Sequence, residues 1–200
     1  MRRIAMASLA ASVCLFPVTA CSTNEPTKAS PPARSSSSTS ASPSPSSPTD
    51  TVPAYLQAYS EEERTAYRKA VDDYSAFSRR LAAINEAGRA TPKVKAFFEE
   101  KTAAWRTYWA RVRANERRGI QIVGMGRTLH TRPAAVRVDP DGGGQVALLV
   151  CGISEGVKVL QHGEPVSQPS PKPTIVRVQM VKLPDETAWR VLFERVGAKC

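Results

Sequence analysis

Histidine is nearly absent from this 200-residue chain, and cysteine occurs only 4 times. The two histidines, His130 and His162, lie far apart and have no His or Cys neighbour at the spacing of a zinc or haem site. The chain also lacks a phosphate loop, because the glycines at 142–144 precede a predicted strand, whereas phosphate binding needs a helix N-terminus. The sequence therefore predicts neither a bound metal nor another cofactor.

A serine nucleophile is also unsupported. Residues 152–156 match the pattern GxSxG around Ser154. In hydrolases that motif joins a strand to a helix, and an acid and then a histidine follow much later in the chain. Here residues 157–159 favour another strand, and no Asp lies between Ser154 and His162. We expect a protein that is not an enzyme.

Long apolar runs are missing except for one near the start, over residues 4–18. This run is shorter than the roughly 20 residues that a membrane-spanning helix needs. Arg2 and Arg3 precede it and small residues follow it, as in a secretory signal. We expect a cleaved signal peptide over residues 1–20, and the general secretory route is favoured over twin-arginine export.

The run Val18-Thr19-Ala20-Cys21 resembles the bacterial lipobox. In lipoproteins of that kind the cysteine thiol receives a diacylglycerol, and signal peptidase II cuts immediately before it. The resemblance implies that Cys21 is lipidated and holds the protein on the extracytoplasmic face of the cell membrane. Two acyl chains hold a protein stably, at about 0.8 kcal/mol per buried methylene. A plain secretory signal with a coincidental Cys21 is the alternative.

Residues 22–52 contain no Leu, Ile, Met, Phe, Tyr or Trp and are almost entirely Ser, Thr, Pro and Ala. Nothing in such a segment offsets the entropy of ordering it. We expect residues 21–52 to be a disordered tether with an r.m.s. span of roughly 30 Å. The rest, residues 53–200, is long enough for one domain.

Helical signals occupy the first half of that domain. Ser60 and Glu63 form a capping-box signature, and apolar residues then recur at steps of three and four as far as Gly88. A second helical stretch starts at Thr91 and ends at Gly119. Its apolar stripe is interrupted near residues 101–102, so either one kinked helix or two helices are expected.

After residue 119 the apolar period changes to two. Alternating runs at 136–138, 146–150, 176–180 and 189–193 predict half-buried antiparallel strands. Gly, Pro and Asp predict loops between them at 139–144, 162–165 and 184–187. Helices followed by strands indicate the α+β class, with N-terminal helices packed on a curved antiparallel sheet.

This order of elements resembles the NTF2-like (cystatin-like cone) superfamily over about residues 53–200, especially its actinobacterial lipoproteins. The matching pieces are the helical half ending at Arg118-Gly119, Leu149-Val150-Cys151, the Gly163 turn, Trp189-Arg190-Val191 and Cys200. Many of those relatives have an acidic residue two places after the first cysteine, where this chain has Ile153.

The resemblance implies a cone whose mouth can hold a small apolar ligand. Four aromatic residues are candidates for its lining: Tyr74, Trp105, Tyr108 and Trp109. Aromatic residues at helical spacing are also the ordinary composition of a core, and that alternative stays open. In relatives such as ketosteroid isomerase, an Asp and a Tyr inside the cone move protons. Asp73 is next to Tyr74, but adjacent helical residues point about 100° apart.

The cysteines predict one disulfide. Cys14 leaves with the expected signal peptide and Cys21 is expected to be acylated, which leaves Cys151 and Cys200 in the folded domain. An even pair in an exported domain is typical of a cystine, because the compartment is oxidising. Two separate thiols are the alternative.

The expected domain is basic, with 24 Lys and Arg against 16 Asp and Glu over residues 53–200. Five arginines are concentrated on the second helical stretch: Arg106, Arg111, Arg113, Arg117 and Arg118. We expect no nucleic-acid partner for an exported protein, so envelope proteins, anionic lipid headgroups or anionic wall polymers are the candidates. A solvated helix face is the simpler interpretation of the same charge.

Three functions follow from these patterns. The leading hypothesis is a membrane-anchored, extracytoplasmic lipoprotein whose domain is a non-catalytic binding or interaction module of the cell envelope. The second is a small-molecule-binding protein or proton-transfer enzyme that uses the cone. The third is a structural subunit of an envelope transport or secretion assembly, which predicts an exposed apolar patch on the sheet.

Overall fold

Helices form the first half of the described chain and strands the second half. The computed structural model describes residues 52–169 and 171–200. The predicted signal peptide, Cys21 and the predicted tether as far as residue 51 lie outside the described residues. After a short 3-10 turn at Ala54–Leu56, the helices are α1 (Glu61–Ala87), α2 (Pro92–Lys101) and α3 (Trp105–Arg117). The strands are β1 (Ile120–Val123), β2 (Arg127–Val138), β3 (Gly144–Ile153), β4 (Lys158–Gln161), β5 (Glu164–Ser167), β6 (Thr174–Lys182) and β7 (Arg190–Lys199).

Helix α1 begins and ends where its local signals predict. The Ser60 N–H donates to Glu63 Oε2 at 2.8 Å, and the Glu63 N–H donates to Ser60 Oγ at 3.2 Å. These bonds satisfy two of the amides that a helix start leaves free. At the other end, Gly88 adopts a left-handed φ of 61°, a conformation that costs glycine no Cβ clash.

The second helical stretch consists of two helices, and Thr102 separates them. Its backbone is extended, its side chain is wholly buried, and its hydroxyl donates to the Val191 carbonyl at 2.7 Å. The Ala103 N–H donates to the same carbonyl at 2.9 Å. The helix therefore breaks because residues 102–103 bond to the start of β7.

The strands form two antiparallel sheets, one with the order β2-β3-β6-β7 and one with the order β1-β4-β5. The α+β class is confirmed, with the helices packed on a curved antiparallel sheet. The loop prediction at 162–165 is wrong in its second half, because Glu164 and Pro165 belong to β5. Only His162 and Gly163 make the turn, with φ of 52° and 89°. The sequence also missed β1, a four-residue strand held by pairing with β4.

The core lies between the helices and one face of the four-stranded sheet. Strands β3, β6 and β7 contribute fully buried aliphatic residues to it: Val146, Leu148, Val178, Met180 and Val191. Above them Tyr108 packs between Phe77, at 5.4 Å between ring centroids, and Phe98, at 5.5 Å. The protein's own side chains therefore pack together in this space.

The predicted disulfide between Cys151 and Cys200 is confirmed, which excludes the alternative of two separate thiols. Cys151 is on β3, and its Cα lies 5.9 Å from that of Cys200, which follows β7. The bond closes a loop of sequence separation 49. In the chain-entropy treatment a loop of that length stabilises the fold by about 4 kcal/mol.

Within residues 52–169 and 171–200, no helix has the length and apolar character needed to cross a membrane.

Candidate functional site

A carboxylate held by two phenols joins three elements of the fold. The hydroxyl of Tyr74, on α1, donates to Glu194 Oε1 at 2.8 Å. The hydroxyl of Tyr108, on α3, donates to Glu194 Oε2 at 2.5 Å. Glu194 is on β7 opposite the wholly buried Val178, so its side chain lies on the helix-facing side of the sheet. We call Tyr74, Tyr108 and Glu194 the tyrosine clamp.

Both phenols of the tyrosine clamp stay protonated at neutral pH. Burial raises the pKa of Tyr74 and of Tyr108 well above the usual 10, and the neighbouring Glu194 carboxylate raises both further. The Arg111 guanidinium, 5.8 Å from the centroid of the Tyr108 ring, opposes part of the effect on Tyr108. The two hydroxyls are therefore donors, and both are already used by one acceptor.

A groove of about 420 Å³ lies beside the tyrosine clamp, between α1 and the first half of β2. Its volume is in the range of small-ligand sites. Hydroxyl-bearing side chains and two arginines are among the residues that line it: Tyr74, Ser75, Ser78, Arg79, Met125, Gly126, Arg127, Thr128 and Thr131. We call it the α1/β2 groove. Among the described residues that line it, none has a carboxylate or an imidazole that could accept a proton from a ligand.

The four aromatic residues predicted as a pocket lining do not gather in one place. Tyr74 lines the α1/β2 groove, and Tyr108 meets Tyr74 through Glu194. Trp105 and Trp109 are half-buried on α3 and are not part of the groove lining. Two cations instead lie over the Trp105 ring: Lys95 Nζ is 5.3 Å and Arg106 Cζ is 5.2 Å from the ring centroid.

Asp73, the neighbour of Tyr74 along the chain, and His130, one of the two histidines, are not part of the clamp. Asp73 Oδ2 accepts a hydrogen bond from the backbone N–H of Trp189 at 2.9 Å, and its Oδ1 pairs with Lys69 Nζ at 2.7 Å. His130 is exposed on β2. The carboxylate that does meet Tyr74 is Glu194, which the sequence patterns did not indicate.

A β-bulge explains why Glu194 was missed. Strict alternation in 189–193 predicts that Val191 and Phe193 face the core. In the sheet, Val191 pairs with Met180 and Phe193 pairs with the adjacent Gln179, so Leu192 is an extra residue. The side chains change face at that point, which leaves Phe193 45% exposed and turns Glu194 inward. The prediction that Phe193 faces the core is wrong for this reason.

In the part of the chain that the structure describes, no group of three or more His, Cys, Asp or Glu residues is arranged to hold a metal ion.

Comparison with known proteins identifies no family for this chain. No family model matches the chain, and no curated protein matches it. Among solved structures it is similar to the intermembrane space region of the chloroplast protein ARC6, with a TM-score of 0.45 and 12% sequence identity. The match covers 70% of this chain and 100% of that one. A likeness at that level says nothing about function.

Proposed function

We propose that this protein is a lipid-anchored, extracytoplasmic protein whose folded domain, of NTF2-like type, binds a partner of the cell envelope without catalysing a reaction. The export segment and the lipobox-like run ending at Cys21 support the anchor. The cystine supports the location, because disulfides form and persist in oxidising compartments.

The tyrosine clamp supports the proposal that the domain does not catalyse a reaction. A general base must be able to reach the proton that it removes. The two oxygens of Glu194 each accept a phenol at 2.8 Å and 2.5 Å, and neither phenol has a proton left to donate to a ligand. The clamp thus ties α1 and α3 to β7, which is a structural task.

The packing of the interior favours a surface-bound partner over a deeply held small ligand. A ligand inside an NTF2-like cone would lie between the helices and the four-stranded sheet. Phe98 and Val178, which are wholly buried, and Phe77, which is 3% exposed, occupy that space. The binding surface therefore lies on an exposed face of the domain.

Membrane fractionation tests the anchor. The Cys21→Ala variant should move from the membrane fraction to the soluble fraction, because the acylated sulfur is lost. Cys14→Ala is the matched control, since that residue lies in the expected signal peptide and should leave the distribution unchanged. A Cys21→Ala protein that stays with the membrane would show that another feature holds it there.

A proton-transfer enzyme is the second candidate, and one observation favours it: Tyr74 of the clamp also lines the α1/β2 groove. Hydrogen–deuterium exchange at the carbon next to the carbonyl of simple ketones, followed by NMR in heavy water, measures such an activity directly. We expect no exchange above the protein-free rate. Exchange that both Tyr74→Phe and Glu194→Gln abolish would establish the enzyme and overturn the binding proposal.

A further inference from the structure

Three arginines lie in one row across the four-stranded sheet. In the strand register, Arg132 of β2 pairs with Leu149 of β3, Leu149 pairs with Arg177 of β6, and Arg177 pairs with Arg195 of β7. Leu149 alternates with the core residues Leu148 and Val150, so the row lies on the face turned away from the helices. We call Arg132, Arg177 and Arg195 the arginine row.

The arginine row has no acidic partner among residues 52–169 and 171–200. All three side chains are exposed, and none of them forms an ion pair there. Arg137, further along β2, pairs with Asp139 at 3.0 Å. Arg177 and Arg195 are directly opposite each other, an arrangement in which like charges destabilise a sheet. An anion bound between them would remove that repulsion.

The spacing of the arginine row indicates a ligand with several anionic groups. Neighbouring strands are about 4.8 Å apart, so Arg177 and Arg195 are adjacent and Arg132 lies about 10 Å further across the sheet. One small anion between the adjacent pair leaves Arg132 without a partner. A ligand that engages all three must carry anionic groups over about 15 Å.

The adjacent pair favours phosphate over carboxylate. One guanidinium satisfies both oxygens of a carboxylate through a bidentate contact. The two non-bridging oxygens of a phosphate within a polymer point apart tetrahedrally, so each of them can accept bonds from a different guanidinium group. Beside the pair lies a depression of about 450 Å³ with a largely aliphatic lining, which can hold the carbon linkers between phosphates: Leu149, Ile175, Arg177, Arg195, Val196, Gly197 and Ala198.

We propose that the arginine row is the binding site for a linear, phosphate-bearing polymer. This inference rests on the proposed binding function and names the partner class. It places the site on the sheet rather than on α3, where the arginines are most concentrated along the sequence. Two of the α3 arginines already contact aromatic rings, Arg106 that of Trp105 and Arg111 that of Tyr108.

Binding of the purified protein to long-chain inorganic polyphosphate tests the inference. The row variant, Arg132→Gln, Arg177→Gln and Arg195→Gln together, should bind at least about tenfold more weakly. The slope of log K against log salt concentration should become shallower by about 2, since each lost phosphate contact contributes about 0.7. The matched control replaces Arg113 and Arg117 of α3 and Arg118, which follows it, by Gln; this variant removes the same charge and should keep most of the affinity.

Three results would overturn the inference. Equal losses in the row variant and the α3 variant would show that binding follows net charge alone. Competition by orthophosphate at the same phosphate concentration would show a site for a single small anion. Row-dependent binding to vesicles containing phosphatidylglycerol, without binding to polyphosphate, would show a membrane surface instead.

Two measurements keep these outcomes separate from folding and from the proposed function. Thermal unfolding of both variants checks that each one folds. The double variant Arg177→Lys and Arg195→Lys keeps the charge but loses the planar bidentate group, and should bind with intermediate affinity. Loss of the anchor or the appearance of catalysis is detected by fractionation and isotope exchange, and neither depends on this site.

Discussion

Replacing Glu194 by leucine tests whether the tyrosine clamp stabilises the fold. The substitution nearly preserves side-chain size but removes the acceptor of two hydrogen bonds, at 2.8 Å from Tyr74 and 2.5 Å from Tyr108. The Tyr108 hydroxyl then lies at a helix–sheet contact without its acceptor, whereas the Tyr74 hydroxyl still lies beside the hydroxyl of Ser78. An unsatisfied buried donor is more costly than the average hydrogen bond is favourable.

The two hydroxyls should contribute unequally. Tyr108 is only 5% exposed, so stranding its hydroxyl should cost about 2 kcal/mol. Tyr74 borders the α1/β2 groove, where water can replace the lost acceptor, so its share should be about 1 kcal/mol. The free energy of unfolding should therefore fall by about 3 kcal/mol in total.

Equilibrium unfolding in urea, with the cystine intact, measures this loss. At a slope of about 2 kcal/mol per molar urea, the midpoint should fall by about 1.5 M. The triple variant Tyr74→Phe, Tyr108→Phe and Glu194→Leu is the matched control. It has no stranded donor and should recover most of the lost stability, because removing both partners of a hydrogen bond is nearly neutral.

Two outcomes would refute this reasoning. A loss below about 1 kcal/mol for Glu194→Leu would mean that the hydroxyls find other partners at little cost. A triple variant no more stable than the single variant would mean that the loss arises from packing or from the charge of Glu194 itself.

Three further predictions concern the cystine, the buried phenols and the arginine row. Cys200→Ser opens a loop of sequence separation 49 and should lower the free energy of unfolding, measured in urea, by about 4 kcal/mol. Reduction of the wild-type cystine should have the same effect. A loss below about 1 kcal/mol would contradict the loop-entropy argument. Burial is the main cause that raises the pKa of three phenols: Tyr67, Tyr74 and Tyr108. Each of these phenols has a pKa in the folded state above its unfolded value near 10. The stability that they contribute is therefore complete below pH 10. Above pH 10 the free energy of unfolding should fall by about 1.4 kcal/mol per pH unit for each phenol. Urea unfolding from pH 9 to 11 measures this, and the double variant Tyr74→Phe and Tyr108→Phe should lose stability less steeply; an equal slope would count against the shift. Arg195→Gln should raise the free energy of unfolding by about 0.5 kcal/mol at low salt, because it removes the repulsion between Arg195 and Arg177. High salt screens that repulsion, so the gain should vanish there. Thermal unfolding at low and high salt concentration measures both effects.

Helix ends and the disulfide could be predicted because their causes are local or few in number. Ser60, Glu63 and Gly88 act on amides and carbonyls within one turn, so their positions define α1. The pairing of Cys151 with Cys200 followed from the small number of cysteines in the predicted domain. The α+β class followed from a change of apolar period, which each element shows on its own.

The break at Thr102 shows what local patterns leave open. The sequence contained an interrupted stripe, compatible with a kink or with two helices. The decision came from Val191, whose carbonyl accepts bonds from Thr102 and Ala103. Those residues are far apart along the chain, so no window of helical length contains both partners.

The sequence by itself determined the boundaries of α1, the fold class, the cystine and the basic charge of this protein. Only the tertiary structure decided that Glu194 turns inward to two phenols and that Arg132, Arg177 and Arg195 share one row. The physical reason is strand register. A single bulge at Leu192 reverses the face of the side chains at 193–196, and the pairing of distant strands sets which charges become neighbours.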